Sequence, residues 1–289
     1  MNSAGATQYG PYRLVRLLGR GAMGEVHVAV DTRNGGAVAL KVITLASGQT
    51  GPALEEARQR FVAEAVHGRR LEHPGIVRVL DAGLEGDRGW IAMEPVAGSD
   101  LHRYTQPRRL LPEALVLKVG ERVALALAHA HRAGVVHRDV KPSNILVDWS
   151  ADQVKLSDFG MGRLANAERT RTGLVLGSPA YMAPELLAGA PPSPASDIYA
   201  LGVTLFQLLA GRLPFVEGNL GELLRQVATQ PPPDLHALRP GIPAALAACI
   251  ARMLAKAPAE RPAGADQAAA ELRALAEALA AATGRASDS

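Results

Sequence analysis

A single cysteine, Cys249, stands among 289 residues, so no disulfide can form within the chain, and a reducing compartment fits. It sits in PAALAACIARML, an apolar helical pattern that reads as a packed core position and not as a reactive thiol. Uncharged apolar runs of about 18 residues are absent, which excludes a membrane-spanning helix. The first residues, MNSAGATQYG, lack the basic start and apolar stretch of a secretory signal. An excess of one charge is missing as well: 31 basic against 28 acidic side chains leave a formal net charge of +3. That balance implies neither a nucleic-acid nor a membrane partner, and no basic stripe with interleaved aromatics suggests nucleic acid. The expectation is a soluble, cytoplasmic domain.

The patterning changes once along the chain. Up to Met93 it is mainly extended: VHVAV alternates with a period of two, and AVALKVI follows after RNGG. Asn34, Gly35 and Gly36 are expected to supply the positive-φ residues of a tight hairpin between them. LEEARQRFVAEAVHGRRL is the one clear helix of this half, and IVRVLDAGLE and GWIAME read as further strands. Beyond PVAGSDL the sequence turns Leu- and Ala-rich and helical. LPEALVLKVGERVALALAHAHRAG is a long amphipathic helix stopped by Gly134, and DIYALGVTLFQLLAG is apolar on nearly all sides, as a helix at the centre of a lobe should be. Further helices are expected over 244–256 and 264–282. The fold class is therefore α+β, with a small antiparallel β-sheet lobe carrying one helix and a larger, mainly α-helical lobe.

Gly19, Gly21 and Gly24 stand in G-x-G-x-x-G spacing, which is weak evidence alone. A dinucleotide fingerprint needs a helix after the glycines, and here VHVAV is a strand. A Walker loop needs Gly-Lys-Ser/Thr, which is absent. What remains is a glycine flap between two strands, whose backbone N–H groups can close over phosphates because no Cβ obstructs them.

Other residues point to phosphate chemistry. Lys41 lies among apolar neighbours at the end of a strand, where an ammonium is costly unless paired. Glu55, Glu56, Glu64 and Glu72 are the acidic residues nearby, and spacing does not choose among them. HRDVKPSNIL at 137–146 and the Asp158-Phe159-Gly160 trio bring two carboxylates and the Asn144 amide, a hard, oxygen-rich set suited to Mg²⁺. MAPE at 182–185 closes the loop that opens at Gly160.

With these motifs in order, the chain resembles the eukaryotic-type (Hanks-type) bacterial Ser/Thr protein kinases of the PknB-like group, over nearly its whole length. The resemblance implies a bilobal protein-kinase domain over residues 11–280, with lobes at about 11–94 and 101–280 and a hinge at 95–100. Residues 1–10 and 281–289 are then expected to be flexible ends. It implies transfer of the ATP γ-phosphate to Ser or Thr in proteins, with Mg²⁺ as metal and Mn²⁺ as its substitute. Gly19, Gly21 and Gly24 would cover the phosphates. Lys41 would hold the α- and β-phosphates, oriented by Glu64. Leu18, Val26, Ala39 and Leu146 would enclose adenine, with Glu94 and Val96 reading its edge and Met93 at the gatekeeper position. Asp139 would take the proton of the attacking hydroxyl, Lys141 would neutralise the γ-phosphate, and Asn144 and Asp158 would hold the metal.

Lys141 and Ser178 favour a Ser/Thr acceptor. Thr170 and Thr172, flanked by arginines, are expected to be autophosphorylated, with Arg138 and Arg163 as phosphate partners. Asp197 would brace the catalytic loop, and Glu185 would pair with Arg261. Gly68, read as a mid-helix glycine one turn after Glu64, suggests a mobile helix. Protein substrates and the chain itself are the implied partners, a homodimer is compatible with the family, and the domain could belong to a longer membrane-anchored protein. A small-molecule phosphotransferase would lack the long segment ending in MAPE. A pseudokinase scaffold would have lost catalytic residues that are all present here. The histidines at 129, 131 and 137 resemble a zinc set only superficially, since no cysteine accompanies them.

Overall fold

The computed structural model describes residues 8–21, 24–45, 51–159, 179–215 and 219–287. These divide into two compact units, one running through Ala97 and the other beginning at Gly98.

Alternating side chains in the first unit build six strands: β1 (Gln8–Tyr9), β2 (Tyr12–Gly21), β3 (Gly24–Asp31), β4 (Ala37–Thr44), β5 (Val79–Glu85) and β6 (Arg88–Met93). They form one antiparallel sheet in the order β1-β2-β3-β4-β6-β5. Tyr12, Ala29, Leu40, Trp90 and Ala92 make its buried cluster, with the Tyr12 and Trp90 rings edge to face at 5.3 Å. The unit's one helix among the described residues, α1 (Pro52–Arg69), packs on β5 and β6 through Phe61, which is fully buried.

Three expectations for this unit change. The β3–β4 connection is longer than a tight hairpin, and of Asn34, Gly35 and Gly36 only Gly35 has a positive φ. Asn34 instead folds the loop by accepting the Gly36 N–H through its side chain at 2.7 Å, as Asx turns do. The N-terminal segment does not stay unstructured through residue 10, because Gln8–Tyr9 pairs with Tyr12–Arg13. Burial of the Tyr9 ring and a 2.7 Å hydrogen bond from Arg88 to its hydroxyl hold this strand. Gly68 is not mid-helix: α1 ends one residue later, so the glycine lies in the last turn, where its carbonyl accepts the Leu71 N–H at 3.3 Å. A glycine near a C-terminus is tolerated far better than one in the interior.

In the second unit β7 (Ser99–Asp100), β8 (Ile145–Asp148) and β9 (Gln153–Leu156) form a small sheet. The helices are α2 (Glu113–Arg132), α3 (Pro184–Leu187), α4 (Pro194–Ala210), α5 (Leu220–Thr229), α6 (Leu235–Leu238), α7 (Ala244–Met253) and α8 (Ala265–Ser287). α2 packs against α4 and α8. α4 begins at a Ser193–Ser196 capping box and ends at Gly211 in the left-handed region, so both termini are closed by residues suited to them. Ile198, Tyr199, Leu201, Leu205 and Leu209 are among its buried side chains, as expected for a helix at a lobe's centre. α8 runs on to Ser287, so the C-terminal stretch expected to be a flexible tail from residue 281 continues a helix. Its Ala- and Leu-rich composition carries strong helix propensity. Among the described residues no helix is long and apolar enough to cross a membrane.

Candidate active site

The candidate residues divide between the two units. In the first, register rather than sequence proximity gathers them. Gly19 is opposite Val26, Val26 opposite Lys41, and Ala39, two residues before Lys41, is opposite Met93. Side chains alternate along strands and cross-strand partners share a face, so Val26, Ala39, Lys41 and Met93 lie on one face of the sheet. Leu18 falls at the irregularity between Leu17 and Gly19 in β2. Glu94 follows β6, where its backbone N–H donates to Arg78 O and its side chain accepts the Arg78 N–H, both at 3.0 Å. Val96 lies half-buried just before the boundary between the units.

The three glycines are not equivalent. A Cβ on Gly24 would run into the Val42 carbonyl oxygen, and its φ of 131° is one that L side chains rarely adopt. Gly24 is therefore demanded by the sheet itself. A Cβ on Gly19 or Gly21 would meet no described atom within 4 Å. Those two positions keep open space on the hairpin, as close approach of a ligand to the backbone requires.

Lys41 is buried at 6% relative exposure. Of the four acidic residues that spacing left open, Glu55, Glu56 and Glu72 are exposed and Glu64 alone is buried, also at 6%. An ammonium and a carboxylate buried in the same sheet-and-helix unit each need compensation inside it, and neither is without an interaction. Burial thus singles out Glu64 where sequence spacing could not.

In the second unit the chain from His137 to Asn144 folds around one carboxylate. Asp197, buried in α4, accepts the N–H groups of His137 and Arg138 and the Nε2 of His131, each at 2.8 Å. Arg138 takes a positive φ of 72°, and Asp197 holds that residue's N–H in place. The imidazole of His137 is fully buried, and its Nδ1 accepts the Asp139 N–H at 3.2 Å. Its Nε2 therefore carries the proton and donates to Ser157 O at 2.8 Å. Its ring also meets Phe159 edge to face at 4.5 Å, which ties the loop to the Asp158 segment.

Asp139 is used asymmetrically. Its Oδ2 receives Lys141 Nζ at 2.7 Å and Asn144 Nδ2 at 3.0 Å, while no described residue donates to Oδ1. Asn144 also donates to Asp139 O at 2.7 Å, which spends its amide nitrogen and turns its Oδ1 away from the carboxylate. The Asn144 carbonyl accepts Ser157 N–H at 2.8 Å, joining the loop to the residue before Asp158. Asp158 has a positive φ of 65°. Leu146 lies in β8, opposite Asp100 and Lys155.

The Glu185–Arg261 pair forms as a two-point contact with both distances at 2.7 Å. Arg261 directs its remaining N–H groups to the carbonyls of Ala195, Ala255 and Lys256, so all five donors are used. Its guanidinium lies 5.0 Å above the Tyr199 ring, whose phenol is held well above its ordinary pKa by burial. Thr170, Thr172, Arg163, Ser178 and Gly160 lie outside the described residues.

Sequence reasoning missed the part played by His131, read only as the end of a helix. Its partner is 66 residues further on, and no local spacing signals the contact.

The chain is similar to known proteins over most of its length. A family model described as "Protein kinase domain" matches residues 12–272. The serine/threonine-protein kinase PknA of Mycobacterium tuberculosis is 40% identical over 236 residues, covering 79% of this chain and 54% of that protein. The serine/threonine-protein kinase PkaB of Streptomyces coelicolor is 41% identical over 246 residues, covering 81% of this chain and 56% of that protein. The chain therefore spans about half the length of these curated relatives. The crystal structure of the M. tuberculosis PknI kinase domain is similar with a TM-score of 0.73 at 34% identity, covering 94% of this chain and 99% of that one.

Proposed function

Since the chain belongs to the protein kinase domain family, we propose that it transfers the γ-phosphate of ATP to Ser and Thr hydroxyls of proteins. The observation that carries this reading is the divided carboxylate of Asp139. One oxygen is fixed by Lys141 and Asn144, and the other, to which no described residue donates, is left to receive a proton. Phosphoryl transfer needs little covalent help from the protein; positioning and charge neutralisation supply most of the rate. Asp139 Oδ1 orients the acceptor hydroxyl and takes its proton as the oxygen attacks. Lys141, anchored to the other carboxylate oxygen, offers its charge to the transferring phosphoryl group. In the first unit Lys41 holds the α- and β-phosphates, oriented by Glu64, and the glycine hairpin covers them with backbone N–H groups. Leu18, Val26, Ala39, Met93, Glu94, Val96 and Leu146 receive the adenine.

The residues present fit a hard divalent ion. Asn144 has spent its nitrogen on Asp139, so oxygen is what its amide offers, and Asp158 adds a carboxylate. Asn144 and Asp158 would hold Mg²⁺, or Mn²⁺ in its stead, which when bound neutralises phosphate charge. Thr170 and Thr172 are the sites of autophosphorylation, the chain being its own substrate in trans or within a homodimer. The domain works in the cytoplasm, alone or as part of a longer membrane-anchored protein.

The test is transfer of labelled γ-phosphate from ATP with Mg²⁺ to the chain and to a general protein substrate. Asp139→Asn and Lys41→Met should each abolish labelling, and phosphopeptide mapping should recover Thr170 and Thr172. Equal labelling in the wild type and both variants would refute the assignment.

A further inference from the structure

Three side chains on the glycine hairpin have no part in the reading above. Arg20 and Glu25 are cross-strand partners one register step before the final Gly21–Gly24 pair. His27 follows Glu25 by two residues and so shares its face of β3. Arg20 Nε donates to Glu25 Oε1 at 2.9 Å, and His27 Nε2 donates to Oε2 of the same carboxylate at 3.0 Å. Arg20 comes from β2 and His27 from β3, so one carboxylate ties both strands of the hairpin together just before its tip. The His27 hydrogen bond holds the Glu25 carboxyl below its ordinary range, helped by the charges of Arg20, His27 and Arg88, so it is ionised and only accepts.

We propose that Glu25 is a positioning residue for the nucleotide phosphates, acting through Arg20 and His27 on the glycine hairpin. The proposal rests on the ATP reading above. Glycines leave a backbone open to phosphate but free to wander, and ordering it on binding loses entropy. Any side chain added on the ligand side would block approach. Glu25 and His27 point to the face opposite Val26, so the clamp restrains the hairpin without intruding on the ligand face.

Electrostatics alone would make Glu25 harmful, since a carboxylate beside a triphosphate repels it. The two accounts therefore predict opposite signs for one substitution. Binding of ADP and of adenosine to the full 289-residue chain, with Mg²⁺ present, would be measured for the wild type, Glu25→Gln, Arg20→Gln and the double variant. If Glu25 positions the hairpin, Glu25→Gln weakens ADP about two- to fivefold, the scale of an exposed ion pair. Adenosine, which has no phosphate to cover, keeps its affinity. The double variant is no weaker than the worse single one, because both remove the same clamp. Tighter or unchanged ADP binding in Glu25→Gln would overturn the proposal, as would equal weakening of ADP and adenosine. A wild type that binds neither nucleotide would instead bring down the kinase reading on which the proposal stands.

Discussion

Replacing Asp197 by asparagine changes one atom and tests the catalytic loop's support. The carboxylate accepts from His137 N–H, Arg138 N–H and His131 Nε2, all at 2.8 Å, in a site where Asp197 is 1% exposed. The amide oxygen of asparagine can still accept from one side, but its NH₂ group faces a donor on the other. A buried donor left unsatisfied costs about 1–3 kcal/mol, and more where the lost acceptor was charged. Asp197→Asn should therefore lose about 2–3 kcal/mol of unfolding free energy, a sizeable part of a typical total of about 5–15 kcal/mol. Asp197→Ala strands all three donors and should lose roughly twice as much, enough to threaten folding. The strained residue next to Asp139 amplifies the kinetic effect. Arg138 holds a φ of 72° and donates to Asp197; a non-glycine residue there stores about 1–3 kcal/mol that surrounding contacts must oppose. Released, it can relax and carry Asp139 with it, and a shift of about 1 Å can cost on the order of 100-fold in rate. Urea denaturation would give the stability change, and steady-state kinetics on the folded variant would give kcat and KM for ATP. The expected pattern is a large fall in kcat with KM little changed. An Asp197→Asn protein with wild-type urea midpoint and wild-type kcat would refute the reasoning.

Two further outcomes follow from buried charge. Removing Arg261 by Arg261→Met should cost about 3–5 kcal/mol in thermal or urea unfolding, because the Glu185 carboxylate and three carbonyls lose their donors. Arg261→Lys should recover only part of this, since three donors on a flexible stem cannot serve five acceptors, and full recovery would contradict the geometry. Lys256 donates to Val227 O at 2.6 Å and lies 4.1 Å over the Phe215 ring, and burial, then Arg261, lower its pKa from 10.5 to about 8. Between these values the unfolded chain binds more protons than the folded one, so this group's contribution to stability rises with pH from about 8 to 10.5 and is flat below. Urea midpoints across that range should climb less steeply in Lys256→Met than in the wild type; identical slopes would show that the amine does not titrate as described.

Much of the fold was legible because its signals are local. The alternation of VHVAV ruled out a helix after the glycines, and the structure places a strand there. The apolar α4 helix announced its own burial. What could not be read depends on contacts between distant residues. Glu64 differs from Glu55 and Glu56 only in facing inward, which the helix's packing decides, and Glu72 lies beyond the helix end. His131 acquires its role from Asp197, and Asp139 its inequivalent oxygens from a turn that brings Asn144 back to it. Tyr9 looked like part of a loose end because its anchor, Arg88, is 79 residues away. Gly68 was misjudged because the helix's end was unknown, and a glycine's cost depends on where in the helix it falls.

The inequality among the hairpin glycines has a use that needs no ligand in the structure. Side chains at Gly24 collide with the neighbouring strand, whereas those at Gly19 and Gly21 meet no described residue. In a saturation library scored once for cellular abundance and once for phosphotransfer, position 24 should fail both screens. Positions 19 and 21 should pass the first and fail the second. The gap between the two scores at each glycine then reports how far the nucleotide, and not the fold, dictates that residue.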